Sequence, residues 1–174
     1  MLLHKLHIEM LTKDIVTIIA RLHSDSWLNT YRGILADTYL DGNLETERLR
    51  YWQQRVKALQ AMQDQGEIFL VQVGKQPAGF LCIEIGPEAE WGAYVDNLHV
   101  LPHWQGQGIG AQLLKCGAEW AKDRGAKQMY LWVLEKNADA RHFYAREGWR
   151  EAEHQRHEMP DSQAHAAIRL IYRI

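Results

Sequence analysis

The fold is decided by the stretch Val95-Asp-Asn-Leu-His-Val-Leu-Pro-His-Trp-Gln-Gly-Gln-Gly-Ile-Gly-Ala-Gln-Leu-Leu114, which carries glycine at three alternate positions. Residues 95–101 alternate and are rich in branched side chains, so they predict a strand that ends at the following proline. From Ile109 onward, apolar side chains recur at the spacing of one helix face. A glycine turn therefore leads from the strand into a helix N-terminus. Its glycines are Gly106, Gly108 and Gly110.

This glycine turn is suited to binding an anion. A helix N-terminus presents unpaired amide hydrogens and the positive end of the helix dipole. Glycines remove the side chains that would hold a ligand away from these amides. A tight turn alone would not require glycine at three alternate positions. The turn therefore predicts a site for a phosphate or pyrophosphate.

A dinucleotide is one candidate for that anion. The pattern Gly106-x-Gly108-x-x-Ala111 fits the dinucleotide fingerprint, and Glu135 follows the next strand, where a ribose-binding acid would lie. Such a fold normally opens with this unit, however, and the residues after it are too few for the second half of the sheet. A nucleotide P-loop is excluded because no Gly-Lys-Ser/Thr follows the glycines.

Two motifs resemble a known family. The first, Gln105-x-x-Gly108-x-Gly110 after a strand, resembles the acyl-CoA pyrophosphate loop of the GNAT superfamily of N-acetyltransferases. The second, Asn137-x-x-Ala140-x-x-Phe143-Tyr144-x-x-x-Gly148-Trp149, is similar to that family's second cofactor motif. The resemblance covers about residues 67–150 and extends to the first sixty residues only in outline. It implies transfer of an acetyl group from acetyl-CoA to a primary amine of a small molecule or peptide.

The element pattern predicts a mixed α/β fold in one domain, residues 1–174. Hairpins dominate, so the sheet is expected to be mostly antiparallel. One parallel pair is expected between residues 95–101 and 128–134, joined by the glycine-capped helix. The resemblance implies splayed ends for this pair and helices on both faces. The predicted parts are an acceptor side at 1–66, a cofactor core at 67–150 and a hairpin at 151–174. Strands are expected at 3–10, 68–73, 78–85, 91–101, 128–134, 150–157 and 166–174, and helices after Thr12, over 49–62, from 109 to about 124 and over 138–147.

The resemblance also implies which residues bind the cofactor. In the family, the pantetheine arm lies between the splayed strands and pairs with backbone as an added strand would. An amide near Leu98 would polarise the thioester carbonyl, and a bulge at Asp96-Asn97 would free that amide. The residues carried over are Leu98, His99, Val100, Gln105, Gly106, Gln107, Gly108, Ile109, Gly110, Ala111, Asn137, Ala140, Phe143 and Tyr144.

Acid catalysis is expected from Tyr144, which stands at the family's acid position. A phenol with a pKa of about 10 stays protonated at neutral pH and can donate to the departing thiolate. Without the motif, a buried structural tyrosine would be the simpler interpretation. Asn137 has two interpretations that remain open, a hydrogen bond to the pantetheine arm and an N-cap for the following helix.

The general base is left open among Asp96, Glu84, His99 and a water molecule. Tyr94 and Trp132 stand where members of the family carry Glu, so the usual carboxylates are missing. Asp96 lies two residues beyond Tyr94 on the same strand face. It is expected either to accept the proton or to bind a cationic acceptor.

Acceptor binding is expected from Trp27, Tyr31 and Asp96. The alternative for the two aromatic side chains is packing between helices. The missing Glu at Trp132 argues against an acetylase of ribosomal-protein N-termini. A non-catalytic acyl-CoA-binding module is the second functional hypothesis, supported by the missing carboxylates.

Composition excludes several other classes. A net charge of −2 gives no general attraction to nucleic acid or to an anionic membrane, and no apolar run predicts a signal peptide or membrane span. The cysteines Cys82 and Cys116 suit small core residues in a reducing, cytoplasmic compartment. His154-x-x-His157 lacks the context of a metal site. The basic residues over 48–57 predict a solvated helix face, and homodimerisation is left open.

Overall fold

A computed structural model describes residues 1–8, 11–62, 64–86 and 88–174. The elements are β1 (Leu2–Leu6), α1 (Lys13–Thr30), α2 (Asp37–Leu40), α3 (Leu44–Ala61), β2 (Gly66–Val73), β3 (Gln76–Ile85), β4 (Ala93–Val100), α4 (Ile109–Asp123), β5 (Gln128–Leu134), α5 (Ala138–Arg146), β6 (Arg150–Glu158) and β7 (Ala164–Arg173). Short 3-10 turns at Ala89–Trp91 and Pro102–Trp104 flank β4.

The sheet has seven strands in the order β1-β2-β3-β4-β5-β7-β6. Neighbouring strands are antiparallel except for β4 and β5, which run parallel and are linked through α4. The predicted mixed α/β fold with a single central parallel pair is therefore confirmed.

Helices cover both faces of the sheet. On one face, α4 packs Leu113 and Trp120 against Leu81, Ile83 and neighbouring strand residues in the larger core cluster. On the other face, α1 and α3 pack against β2 and β3 through a second cluster that includes Ile19 and Trp52. Both clusters include residues of β2 and β3, so these two strands are buried between the helices on the two faces.

Several predicted boundaries differ from the structure. The first strand ends at Leu6 rather than at residue 10, and Glu9 and Met10 lie outside the described residues, as does Pro87 of the predicted break after β3. The four-residue α2 was not predicted, because so short a helix has no periodicity. Trp91 belongs to a 3-10 turn rather than to β4. Among the described residues, no helix is both long enough and apolar enough to cross a bilayer.

Candidate active site

The site begins where β4 and β5 separate. Their parallel pairing includes only Ala93 with Met129 and Tyr94 with Tyr130. Beyond these residues, β4 continues to Val100 paired with β3, while β5 continues to Leu134 paired with β7. The two strands therefore leave a gap between their C-terminal halves, and the edge of β4 can pair with an extended ligand.

A bulge in β4 turns polar side chains toward α3. The register with β3 shifts so that Cys82 pairs with Asn97 but Ile83 pairs with Val95, which leaves Asp96 as the extra residue. The predicted bulge at Asp96-Asn97 is present. The hydroxyl of Tyr51 on α3 donates to Asp96 Oδ2 at 3.1 Å, so the bulged residue faces this helix.

The glycine turn leads into α4 with its first amides uncapped. Gly106 and Gly108 have φ of 74° and 79°, a left-handed conformation that favours glycine. A Cβ at either position would meet nothing within 4 Å, so the surroundings of both residues are open. Gly108 is the N-cap and makes no side-chain cap bond, which leaves the first amides of α4 available for an anion. Gln105 Nε2 donates to the Val100 carbonyl at 3.0 Å and ties the turn to β4.

Gly110 is required for a different reason from the other two glycines. A Cβ there would lie 2.9 Å from Cζ of Phe143, so a side chain would displace the Phe143 ring from the start of α4. The third glycine of the motif therefore allows close packing of the two helices, and Phe143 has a packing role beside the cleft.

A cavity of about 730 Å³ fills the gap between β4 and β5. It extends from the glycine turn to α1 and is lined by nearly all of the predicted cofactor residues. Those lining it are Leu98, His99, Val100, Gln105, Gly106, Gly108, Ile109, Gly110, Ala111, Asn137, Ala140, Phe143 and Tyr144. Gln107 is outside the lining and donates instead to the His103 carbonyl at 3.2 Å. The size and shape fit an extended ligand that has an anionic end at α4.

Tyr144 lies in this cavity as a protonated phenol. It is buried, and burial together with the nearby Tyr31 raises its pKa above the usual value near 10. Asn137 caps α5, with its Oδ1 accepting from the Ala140 amide at 3.2 Å, and it also lines the cavity. The two interpretations of Asn137 are therefore compatible, because the cap uses Oδ1 and leaves Nδ2 as a donor.

Both predicted carboxylates are bound to Arg55. Its Nη2 donates to Glu84 Oε2 at 2.7 Å, and its Nε donates to Asp96 Oδ2 at 2.9 Å. Asp96 lines the cavity, whereas Glu84 is buried outside its lining. Asp96 Oδ2 also accepts from Asn97 at 2.9 Å, so this oxygen is already well supplied with donors.

His99 is the other candidate base, and it is neutral. Burial and the nearby Arg48 lower its pKa to about 3. Its Nδ1 lies 3.0 Å from the hydroxyl of Ser26, and both residues line the cavity. Its ring stacks on buried His23 with centroids 4.5 Å apart. Trp52 Nε1 donates to His23 at 2.9 Å and fixes that ring.

The predicted acceptor residues separate into two groups. Tyr31 and Asp96 line the cavity. Trp27 does not, because it is buried in a third apolar cluster and its ring lies 4.4 Å from the guanidinium carbon of Arg48. Helix packing is therefore the role that the structure gives Trp27. Trp132 of β5 lines the cavity instead.

Two features of the site were not predicted. Ser26 is 73 residues from its partner His99, so no local pattern could indicate the pair. The prediction of a solvated helix face over residues 48–57 was wrong for two residues. Arg48 is buried, and Arg55 points to the site. Their spacing of seven residues around buried Trp52 placed both on the inner face of α3. Among the described residues, no group of three or more His, Cys, Asp and Glu is arranged to hold a metal ion.

Comparison with known proteins agrees with this geometry. Residues 25–149 match the model of the Acetyltransferase (GNAT) family. An uncharacterized N-acetyltransferase of Bacillus subtilis strain 168, YuaI, is 34% identical over 125 residues, which span 68% of this chain and 66% of the relative. The aminoalkylphosphonate N-acetyltransferase of Salmonella typhimurium strain LT2 is 41% identical over 64 residues, or 37% of this chain and 42% of that protein.

A solved structure extends the similarity over the whole fold. The PaiA N-acetyltransferase of Thermoplasma acidophilum, in complex with coenzyme A, superposes with a TM-score of 0.73 at 16% identity and covers 100% of both chains. At this identity the comparison supports the fold. The curated relatives are matched over 66% and 42% of their own lengths.

Proposed function

Because the chain belongs to the GNAT family of acetyltransferases, we propose that it moves an acetyl group from acetyl-CoA to a primary amine by direct attack. The acceptor is a small molecule or a peptide. The observation that carries this proposal is the cleft between β4 and β5, which joins an uncapped helix N-terminus to a buried tyrosine. The uncapped helix N-terminus suits a pyrophosphate, and the buried tyrosine suits a departing thiolate.

In the proposed complex, the chain's own groups hold and polarise the thioester. The first amides of α4 bind the pyrophosphate, and the free edge of β4 pairs with the pantetheine arm. Nδ2 of Asn137 donates to the same arm. A backbone amide at the bulge, near Leu98, donates to the thioester carbonyl oxygen, on which negative charge develops as the amine adds.

Proton transfers complete the proposed reaction. The amine nitrogen bonds to the carbonyl carbon, the carbon–sulfur bond breaks, and Tyr144 gives its proton to the sulfur. The amine loses a proton through a group on the opposite wall of the cleft. Asp96 keeps the position for this role, with Arg55 fixing its carboxylate. Glu84 is less well placed, since it lies outside the cavity lining.

Ligand-dependent unfolding is the first test. At a hundred times its Kd, a ligand stabilises the fold by about 2.7 kcal/mol. For a domain of this size, we expect acetyl-CoA to raise Tm by about 5–11 °C. NAD is the control, because the glycine pattern also fits a dinucleotide. A shift with NAD alone would refute the proposal. A shift with acetyl-CoA but no transfer to any of a broad set of amines would favour a non-catalytic binding module.

Tyr144→Phe tests the acid role. Loss of the proton donor is expected to lower kcat roughly a hundredfold. The Tm shift with acetyl-CoA should remain, since the ring and its packing are kept. The matched control is Tyr172→Phe, which removes a phenol hydroxyl at the edge of the same core without touching the cleft. A Tyr144→Phe enzyme with wild-type turnover would refute the role.

We also propose that the protein is cytoplasmic. Cys82 and Cys116 are free thiols, which suits a reducing cytoplasm.

A further inference from the structure

Three charged side chains meet at the wall of the cleft that Asp96 contributes. Arg55 of α3 donates from Nε to Asp96 Oδ2 at 2.9 Å and from Nη2 to Glu84 Oε2 at 2.7 Å. The side chains of Arg55, Glu84 and Asp96 are 15%, 8% and 17% exposed, so solvent screens their charges only weakly. Because two carboxylates share one guanidinium, the charge of either carboxylate affects the other.

One of these two carboxylates reaches the cleft and the other does not. Asp96 lines the cleft, whereas Glu84 is buried outside its lining. Tyr51 and Asn97 also donate to Asp96, at 3.1 Å and 2.9 Å. Among the described residues, all three donors to Asp96 reach Oδ2, so Oδ1 keeps its lone pairs for a proton. Glu84 can therefore influence the chemistry of the cleft only through Arg55 and its own charge.

The remaining titratable groups around Asp96 are neutral at neutral pH. Burial is the main cause that raises the pKa of one thiol and three phenols, which are Cys82 on β3, Tyr51 on α3, Tyr94 on β4 and Tyr130 on β5. Burial likewise lowers the pKa of His23 on α1, whose ring lies 6.0 Å from that of Tyr51. The guanidinium of Arg48 lies 5.2 Å from the Tyr51 ring centroid and adds a fixed positive charge. Arg55 and Glu84 therefore dominate the electrostatics of Asp96.

We propose that Glu84 is a positioning residue for the proposed reaction and acts on Asp96 through Arg55. Glu84 occupies one side of the guanidinium and adds a second negative charge, and both effects favour proton uptake by Asp96. Asp96 thereby stays basic enough to take a proton from the attacking amine although three donors reach its Oδ2. This inference rests on the proposed function for turnover, whereas the titration of Asp96 tests it without turnover.

The test follows the titration of the Asp96 carboxyl carbon by carbon-13 NMR in the protein without ligand. The spectrum of Asp96→Asn identifies the resonance. In Glu84→Gln, we expect the titration midpoint to move about one pH unit lower, because Arg55 then faces a single carboxylate. In Arg55→Gln, the midpoint should move about one to two pH units higher, since two carboxylates then face each other without their cation.

Glu67→Gln is the matched control for Glu84→Gln. Glu67 is a buried glutamate on the neighbouring strand β2 and lies 3.2 Å from Lys5 Nζ. Its register partner Ile83 belongs to the core under α4, so Glu67 faces the other side of the sheet from Glu84. This variant should leave the titration of Asp96 unchanged.

A double variant covers the case in which Arg55→Gln does not fold. Arg55→Gln/Glu84→Gln removes the surplus negative charge together with the cation, so no pair of carboxylates is left facing each other. Its Asp96 should titrate at higher pH than in Glu84→Gln, because the guanidinium is absent from the double variant alone.

Turnover supplies a second measurement. With an acceptor found among the amines of the functional screen, Glu84→Gln is expected to lower kcat about threefold, because a weaker base takes the proton less readily. The Tm shift with acetyl-CoA should remain, since Glu84 lies outside the cleft lining.

The outcomes separate this inference from the proposed function. An unchanged or higher midpoint for Asp96 in Glu84→Gln overturns the inference, and so does an equal shift in Glu67→Gln. Shifts of opposite sign in Glu84→Gln and Arg55→Gln support it. If these shifts occur but no amine is acetylated, the coupling of Glu84 to Asp96 holds and the proposed function is contradicted. Acetyl transfer with unshifted midpoints would instead leave the proposed function intact and remove the role of Glu84.

Discussion

His99 is a residue whose chemistry is set by its neighbours rather than by its type. Burial and the charge of Arg48 hold its pKa near 3, so its imidazole is neutral in the cleft. The hydroxyl of Ser26 and the ring of His23 fix its orientation. A neutral imidazole leaves the cleft without a positive charge on β4, which suits the proposed amine acceptor.

His99→Gln is expected to flatten the pH dependence of stability. The folded pKa of His99 is lowered, so the unfolded chain binds more protons below its pKa of about 6.5. The stabilisation is complete above that value and is lost as the pH falls toward 3. At pH 5 the wild-type protein should lose about 2 kcal/mol through this residue.

Urea unfolding at pH 7 and pH 5 measures this loss. The matched control is His154→Gln on the exposed face of β6, which should keep the full wild-type dependence. If His99→Gln loses as much stability as the wild type over this interval, the imidazole is not held neutral by the fold.

At the scale of one element, helix α4 has a glycine at each end, and the two glycines differ in their surroundings. Gly108 at its N-cap and Gly125 just after its C-terminus both have φ of 79°, and neither has an atom within 4 Å of a virtual Cβ. The backbone requirement is the same at both ends. Only Gly108 borders the cleft.

Alanine at the two positions should therefore separate folding from binding. Gly108→Ala and Gly125→Ala are each expected to cost about 1 kcal/mol of unfolding free energy, because an L side chain is disfavoured at this φ. Only Gly108→Ala should weaken acetyl-CoA binding, by about tenfold, since its methyl group would enter the proposed pyrophosphate site. Calorimetry on both variants measures the difference. Equal losses of affinity would show that the turn does not touch the cofactor.

The elements of the proposed cofactor side were predictable from sequence because their signals are local. The glycine turn, the helix after it and the cap at Asn137 each lie within a few residues, and β5 was predicted with its observed bounds, Gln128–Leu134. The acceptor side was not predictable in this way. The bond from Arg55 to Asp96 joins positions 41 residues apart, and it depends on how α3 lies over β4.

At the scale of the whole molecule, the carboxylate of Asp161 links the C-terminal hairpin to the N-terminal part of the chain. Asp161, in the loop between β6 and β7, accepts from the Ala36 amide at 3.1 Å and bonds to His165 Nε2 at 2.9 Å. Burial alone would raise its pKa, but these bonds outweigh burial and the pKa is lowered. The C-terminal hairpin is thereby tied to the segment between α1 and α2.

Asp161→Ala is expected to loosen this connection. Loss of charge-assisted hydrogen bonds should cost about 2 kcal/mol of unfolding free energy. Hydrogen exchange should increase over residues 33–40, whose contact with the hairpin is released. Asp123→Ala on the exposed end of α4 is the control and should change neither quantity. Unchanged exchange in Asp161→Ala would mean that the apolar cluster around Leu35 holds this segment alone.

The two pairs of residues that join β4 to β5 have a mechanical consequence. Within the sheet, the four N-terminal strands are hydrogen-bonded to the three C-terminal strands only through this short β4–β5 pairing. The longer strand pairings on either side make each part of the sheet stiff, so we expect bending and twisting to occur mainly between β4 and β5. An extended ligand in the gap would add backbone contacts between the two parts and restrict their relative motion. Its departure would allow that motion again. We therefore expect the sheet to be stiffer when an extended ligand occupies the gap than when the gap is empty.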